Sequence, residues 1–237
     1  MHLRAWHVIF FALFAILASF SARAQQPDEA AIIRDIDAAS QSRFKNVLGF
    51  TDVEHYAVYR GKDQLRPAAE MTVRVTYKKG TGKTYEILSQ SGSAIIRKFG
   101  LQPLLDNEKA INDPAKVAKS WLTSANYQMR LKHGAAQAID GRTCFAIAIS
   151  PRHKAPNMME GTLWVDVHTH TQCQVEGVAS KSPSIFAGNT KMMRRYADMN
   201  GYAMATHASA ESSSFFYGRT VVTIDYSDYH FQLAPAR

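Results

Sequence analysis

The chain has 237 residues, 46% of them hydrophobic, and a formal net charge of +8. That length suits one large domain with a sizeable core, or at most two small ones. The excess base is scattered, with Arg74, Lys78, Lys79 and Lys83 in one region and Arg194 and Arg195 in another; no nucleic-acid-binding motif accompanies it, so no nucleic-acid partner is expected. A basic surface of this kind suits solubility or transient contact with anionic lipid headgroups.

The first residues read as a cleavable secretion signal. Arg4 gives a basic start without an acid, and Val8 to Phe20 is apolar except for Ser19. Ala22-Arg23-Ala24 supplies the small-x-small pattern of a cleavage site. The apolar run is about thirteen residues, short of the ~20 that a helix needs to cross a bilayer. No cysteine follows it, so lipid attachment of the lipoprotein kind is not expected. Residues 1–24 are therefore assigned to the signal and 25–237 to a single exported domain, soluble after cleavage. Loss of Arg4 and Arg23 lowers the formal charge from +8 to +6.

Residues 28–48 read as one helix, with Ile32, Ile36 and Ala39 near one face and acids Asp28 and Glu29 in the first turn. Gly49 is expected to stop it, and 51–61 reads as a strand. Then the period is two. Met71, Val73, Val75 and Tyr77 alternate with polar residues, and Tyr85 and Ile87 share a face on the returning strand. Lys79-Gly80-Thr81-Gly82 turns the chain between them. Gly80-Thr81-Gly82-Lys83-Thr84 resembles the end of a phosphate-binding loop, but Tyr77 stands where the first glycine belongs and a strand follows the lysine. Residues 101–122 form a second helical region, with Asp113-Pro114 marking a helix start.

Strands and turns follow. Phe145, Ile147 and Ile149 share one face, and Leu163 and Val165 can pair with them from the next strand. Residues 173–180, 191–199, 203–211 and 219–231 complete a count of about nine to eleven strands, joined by links of hairpin length and so mostly antiparallel. So many strands must curl or close. The fold expected is mainly β (α+β): a curled antiparallel sheet forming an incomplete barrel, with helices as lid or plug. The apolar residues named above, Met71 to Val165, form the candidate ligand-binding face.

Catalytic chemistry finds no support. His168, His170, Cys173, Asp166 and His153 include zinc-ligand types, but they lie in and near a tight turn, and neither metal nor cofactor is expected. There is no Gly-x-Ser-x-Gly elbow, and Cys144 has no charged neighbour to activate it. Cys144 and Cys173 fall on the first and third strands of a meander. A whole strand between them implies ~9.5 Å at ~4.8 Å per step, beyond the ~7 Å reach of a disulfide. Both are expected free.

Several stretches carry a resemblance: Asn126-Tyr127; Asp140-Gly141-Arg142-Thr143-Cys144-Phe145; Ile149-Ser150-Pro151-Arg152; Gly161-Thr162-Leu163-Trp164-Val165-Asp166; Glu176-Gly177; Lys181-Ser182-Pro183-Ser184; Phe216-Tyr217-Gly218-Arg219-Thr220; and Tyr226-Ser227-Asp228-Tyr229. Together they resemble the outer-membrane lipoprotein-sorting family of the LolA-like superfamily, from the first mature helix to about Phe231. Ile185-Phe186 stands where close relatives would carry a tryptophan. The resemblance implies an incomplete barrel lidded by helices, a periplasmic location and non-covalent binding of lipoprotein acyl chains or lipid, with a membrane-bound donor or acceptor protein as partner. A sensory or regulatory binding module of the same fold is the alternative; an enzyme with a dispersed site ranks third. N-terminal sequencing of the exported protein should return Gln25; a sequence beginning at Met1 would refute the signal assignment.

Overall fold

The computed structural model describes residues 28–61, 65–134, 136–155, 157–181, 190–214 and 218–235. The assigned signal and the Ile185-Phe186 pair lie outside them. No helix among the described residues is long and apolar enough to cross a membrane.

Helix α1 (Glu29–Asn46) starts at Asp28, whose carboxylate accepts from the backbone N–H groups of Ala30 and Ala31 at 3.0 and 3.2 Å. It ends in Asn46 without a loop, because β1 (Val47–Arg60) begins at the next residue. β2 (Ala69–Lys78) and β3 (Gly82–Gly92) follow as a hairpin. Its turn is closed by Thr81 N–H donating to the Lys78 carbonyl at 3.1 Å, with Gly80 and Gly82 at positive φ. Lys83 therefore opens a strand and not a phosphate-binding helix.

The second helical region departs from its expected bounds. It starts earlier, with the short α2 (Ala94–Ile96), a π-helical turn (Arg97–Leu101) and α3 (Gln102–Ile111). Asp113-Pro114 starts only a bend and the 3₁₀ turn Val117–Ser120. The Asp113 side chain does accept from Ala115 N–H at 2.8 Å, but too few residues follow for helix propagation.

The remaining strands are β4 (Tyr127–Leu131), β5 (Gln137–Ile139), β6 (Arg142–Pro151), β7 (Met159–Asp166), β8 (Gln172–Ala179), β9 (Lys191–Met199), β10 (Tyr202–Ser214) and β11 (Gly218–Leu233). All eleven form one antiparallel sheet in the order β3-β2-β1-β11-β10-β9-β8-β7-β6-β4, with β5 on β6. β3 and β4 do not pair, so the barrel is incomplete. Two helical plugs cover its wings. Ile32 and Ile36 of α1 pack on Tyr127, Ile147, Leu163 and Val175. Leu101 and Leu105 pack on Tyr56, Met71, Val73 and Val75.

Several described residues among those that carry the resemblance tie this sheet together; Ser182-Pro183-Ser184 and Phe216-Tyr217 lie outside the described residues. Gly161 and Gly177 face each other across β7 and β8. A Cβ would stand 2.0 Å from the Glu176 carbonyl oxygen at the first and 2.2 Å from that of Glu160 at the second, so only glycine permits the approach. Asp166 accepts from His168 and Thr169 N–H at 2.9 and 3.0 Å, closing the β7–β8 turn. Arg142 donates to the carbonyls of Gln172 and Tyr196, at 3.1 and 2.6 Å.

The expectation of two free thiols is overturned: Cys144 and Cys173 form a disulfide, with Cα atoms 6.9 Å apart. Cys144 does sit one strand away, opposite Asp166 on β7. But Gln172 faces Val165 and Gln174 faces Trp164, leaving Cys173 as the extra residue of a bulge. The bulge takes it out of strict alternation and into the outer-face cluster of Cys144 and Trp164. Asp166 is also the last residue of β7, so only the strand's end separates the two cysteines and flat-sheet spacing does not apply. Alkylation without reductant should add no group to the mature protein, and two after reduction. By chain entropy, Cys144→Ala at a sequence separation of 29 should lower unfolding stability by about 3–4 kcal/mol in a denaturant titration.

Candidate functional site

The sheet's inward residues divide into a packed core and an open cavity. Most of the candidate face belongs to the core. Met71, Val73 and Val75 are buried under Leu101 and Leu105, with Tyr85 packed beside them. Ile147, Ile149, Leu163 and Val165 are buried under α1, with Phe145 at their edge. Ile87 is 45% exposed and borders only a shallow hollow with Met71 and Arg97. Tyr77 alone of the eleven lines the large cavity.

That cavity encloses about 420 Å³, within the ~300–1,000 Å³ of small-molecule sites. It lies between the two plugs, bounded by α1, α3 and the Val117–Leu122 segment above and by the middle strands β8–β11 below. Composition explains the void. β10 turns Met204, Ala208 and Ala210 toward it, and alanine leaves empty the volume that leucine would fill. Met159, Met192, Val222, Ile224 and Trp121 supply the rest of an apolar, flexible and aromatic lining. Alanine carries a weak hydrophobic signal, so the sequence of β10 does not mark this vacancy.

One side of the cavity is charged. β1 carries Asp52, Glu54 and Tyr56 on its inward face; Asp52 and Glu54 are each 1% exposed. Tyr56 Oη donates to Glu54 Oε2, and Lys83 Nζ donates to Glu54 Oε1 at 3.0 Å. Lys83 also lies 3.8 Å from Glu108 on α3, whose other oxygen is 3.6 Å from Arg194 on β9. Burial opposes the Lys83 charge, but Glu54 and Glu108 outweigh it and hold its pKa well above the ordinary lysine value. Arg43, from α1, lines the same end. The period-two pattern of Asp52, Glu54, Tyr56 and Val58 within the 51–61 strand was the available signal for this cluster.

Asp52 differs from its neighbours. Neither carboxylate oxygen has a hydrogen-bond partner among the described residues. It falls where the β1–β11 register breaks between Thr51 and Val53. Burial, with Glu54 adding to it and Lys83 and the nearby Tyr229 hydroxyl offsetting part, pushes its pKa up from 3.8 to about 7; that hydroxyl donates to the Ala205 carbonyl instead.

Elsewhere, the proposed zinc-ligand types do not converge. Cys173 is consumed by the disulfide, His170 Nδ1 lies 2.7 Å from Asp35 on α1, and no cluster of metal-ligating side chains occurs among the described residues. On the outside of the second plug, Ile95 and Phe99 are each 71% exposed, with Lys98 Nζ 5.4 Å from the Phe99 ring centre.

An open antiparallel half-barrel with two helical plugs and an internal cavity is thus the class of protein defined by the fold. No protein-family model matches the chain, and comparison with curated proteins finds no match. Solved structures do match. The chain is similar to the LolA superfamily protein NE2245 from Nitrosomonas europaea, at 14% identity over 88% of this chain and 96% of that one, TM-score 0.46. It is similar to a domain named for outer membrane lipoprotein sorting from Vibrio parahaemolyticus, at 11% identity, 88% and 94% coverage and TM-score 0.48. A DUF1329 family protein from Desulfovibrio piger matches at 13% identity, 88% and 95% coverage and TM-score 0.43. At these values no residue role and no ligand is carried over to this chain.

The raised Asp52 pKa fixes a pH dependence. Between about pH 4 and 7 native Asp52 holds a proton that the unfolded chain has lost, so stability falls as pH rises through that window. Asp52→Asn should equal the wild type near pH 4 and exceed it above pH 8, by up to about 4 kcal/mol. Thermal and denaturant unfolding of both proteins at each pH would check this.

Proposed function

We propose that the chain is a periplasmic binding or carrier protein for lipoproteins, lipids or another acyl-bearing ligand, held in the cavity without covalent chemistry. The observation that carries this reading is the roughly 420 Å³ void under α1 and α3, lined by methionine, alanine, valine and isoleucine together with tyrosines and a charged end, in a molecule otherwise packed on both wings. An acyl chain costs ~0.8 kcal/mol per exposed CH₂ in water, so its movement across an aqueous compartment requires an apolar shelter. Export, read from the sequence, supplies such a compartment. Methionine and aromatic linings bind without demanding one shape, which suits uptake followed by release. Ile95 and Phe99, exposed beside Lys98, are the surface we assign to contact with an anionic membrane during delivery.

The wild-type protein should bind a fluorescent fatty-acyl probe at one site. Ala210→Phe, which fills the void from β10, should weaken that binding about tenfold or more while leaving thermal unfolding unchanged or raised. The double variant Ile95→Ser, Phe99→Ser should keep the affinity and slow transfer of the probe to anionic vesicles. A wild type that takes up neither the probe nor an acylated lipoprotein refutes the carrier reading. A stable complex with a membrane protein, without transfer of the probe, would favour the sensory module.

A further inference from the structure

The charge at the Arg43 end of the cavity is not balanced among the described residues. Arg43, Lys83 and Arg194 supply three cations lining it. Glu54 is committed to Tyr56 and Lys83. Glu108 is shared between Lys83 and Arg194, at 3.8 and 3.6 Å. Arg43 receives neither: its guanidinium makes no hydrogen bond or ion pair with any described residue. Arg194 keeps most of its donors, since Glu108 at 3.6 Å is its one ion-pair partner among them. The third acid, Asp52, does not line the cavity, and burial leaves it only partly ionised near pH 7.

The two arginines differ in their surroundings: Arg194 is held well above the ordinary arginine value, chiefly by Tyr226, with Tyr196, Glu108 and Glu54 adding to it against burial. Arg194 is among the groups that push the Arg43 pKa down, after burial as the largest cause. Tyr196 lies close enough to act electrostatically on both guanidinium groups. Two fork-shaped cations lining one apolar cavity, both within electrostatic reach of the Tyr196 phenol, match a planar or tetrahedral oxyanion. An apolar ligand alone would leave Arg43 desolvated and unpaired, which is costly. An anion would relieve both the desolvation and the repulsion.

We propose that the cavity takes an anionic amphiphile, with a carboxylate or phosphate head held between Arg43 and Arg194 beside Tyr196 and its acyl chain in the apolar remainder. This rests on the acyl-binding reading and narrows it, because a neutral acylated head would not supply the missing charge.

The test is calorimetric titration of the mature protein with dodecanoate, dodecyl phosphate, uncharged monododecanoylglycerol and inorganic phosphate. At least one of the two anionic amphiphiles should bind about tenfold to a hundredfold tighter than the glycerol ester, and the stronger of the two identifies the head. Arg43→Gln should erase that preference while leaving the ester's affinity within about twofold. Equal binding of charged and uncharged chains overturns the proposal and leaves the acyl reading intact. Binding of none of them removes both. Inorganic phosphate binding as tightly as dodecyl phosphate would mean a free-anion site and also overturns it. The wild-type preference is measured without any variant, so misfolding of Arg43→Gln would not rescue the idea.

Discussion

The pairing of β1 with β11 joins two local meanders into one sheet, from Val47↔Leu233 to Arg60↔Thr220. Every other pairing connects strands that are neighbours or next neighbours in the chain. This long-range seam costs the most loop-closure entropy, and it decides the shape of the interior. It brings the β1–β3 wing, with its helical cover, around to face the β4–β8 wing under α1. Without it each wing would still have a plug, but the middle strands would have no opposite wall and the cavity would be an exposed surface.

The same seam places charge inside. Glu54 is registered with Tyr226 and Tyr56 with Ile224, so the carboxylate and the phenols meet on the concave side. Lys83, with its side chain 11% exposed, answers Glu54 at 1%. Buried pairs of this kind recover little more than their desolvation cost, and apolar residues of similar volume would often serve stability as well. Asp52, without a hydrogen-bond partner in a break of the register, is a cost to stability when ionised. Packing alone does not account for these groups. They give the apolar cavity one polar end, through Lys83 in its lining.

Much of the sheet was legible in the sequence because period two has only two outcomes. Met71 to Tyr77 and Phe145 to Ile149 face inward as their alternation requires, and the late strands fall within a few residues of their expected bounds. Occupancy of the concave face was less legible. Alternation marks the inward side of Val75 and Ile147 but not whether a helix already covers them, since that depends on the distant Leu101 and Ile36. The cavity was hidden for the converse reason: Ala208 and Ala210 carry a weak hydrophobic signal, and their importance lies in volume they do not occupy. Cys173 was misplaced because a one-residue bulge reverses facing without leaving a mark in composition.

Of the residues that carry the family resemblance, Tyr127, Tyr226 and Tyr229 border the cavity, while those that close the sheet lie apart from its alanines and arginines. Asn126 donates to the carbonyls of Ala118 and Trp121, at 2.8 and 3.0 Å, and so anchors the segment over the void. Arg142, Cys144, Gly161, Asp166 and Gly177 fix the close approach, the turn and the cross-strand ties of β6–β9. These roles are geometric and independent of what the cavity holds. Volume is set at Ala208 and Ala210, and charge at Arg43 and Arg194, positions outside those stretches. Two chains can therefore share the motif and the curled sheet while differing in cavity volume and charge, because the constraints that close the sheet and those that shape its interior fall largely on different residues.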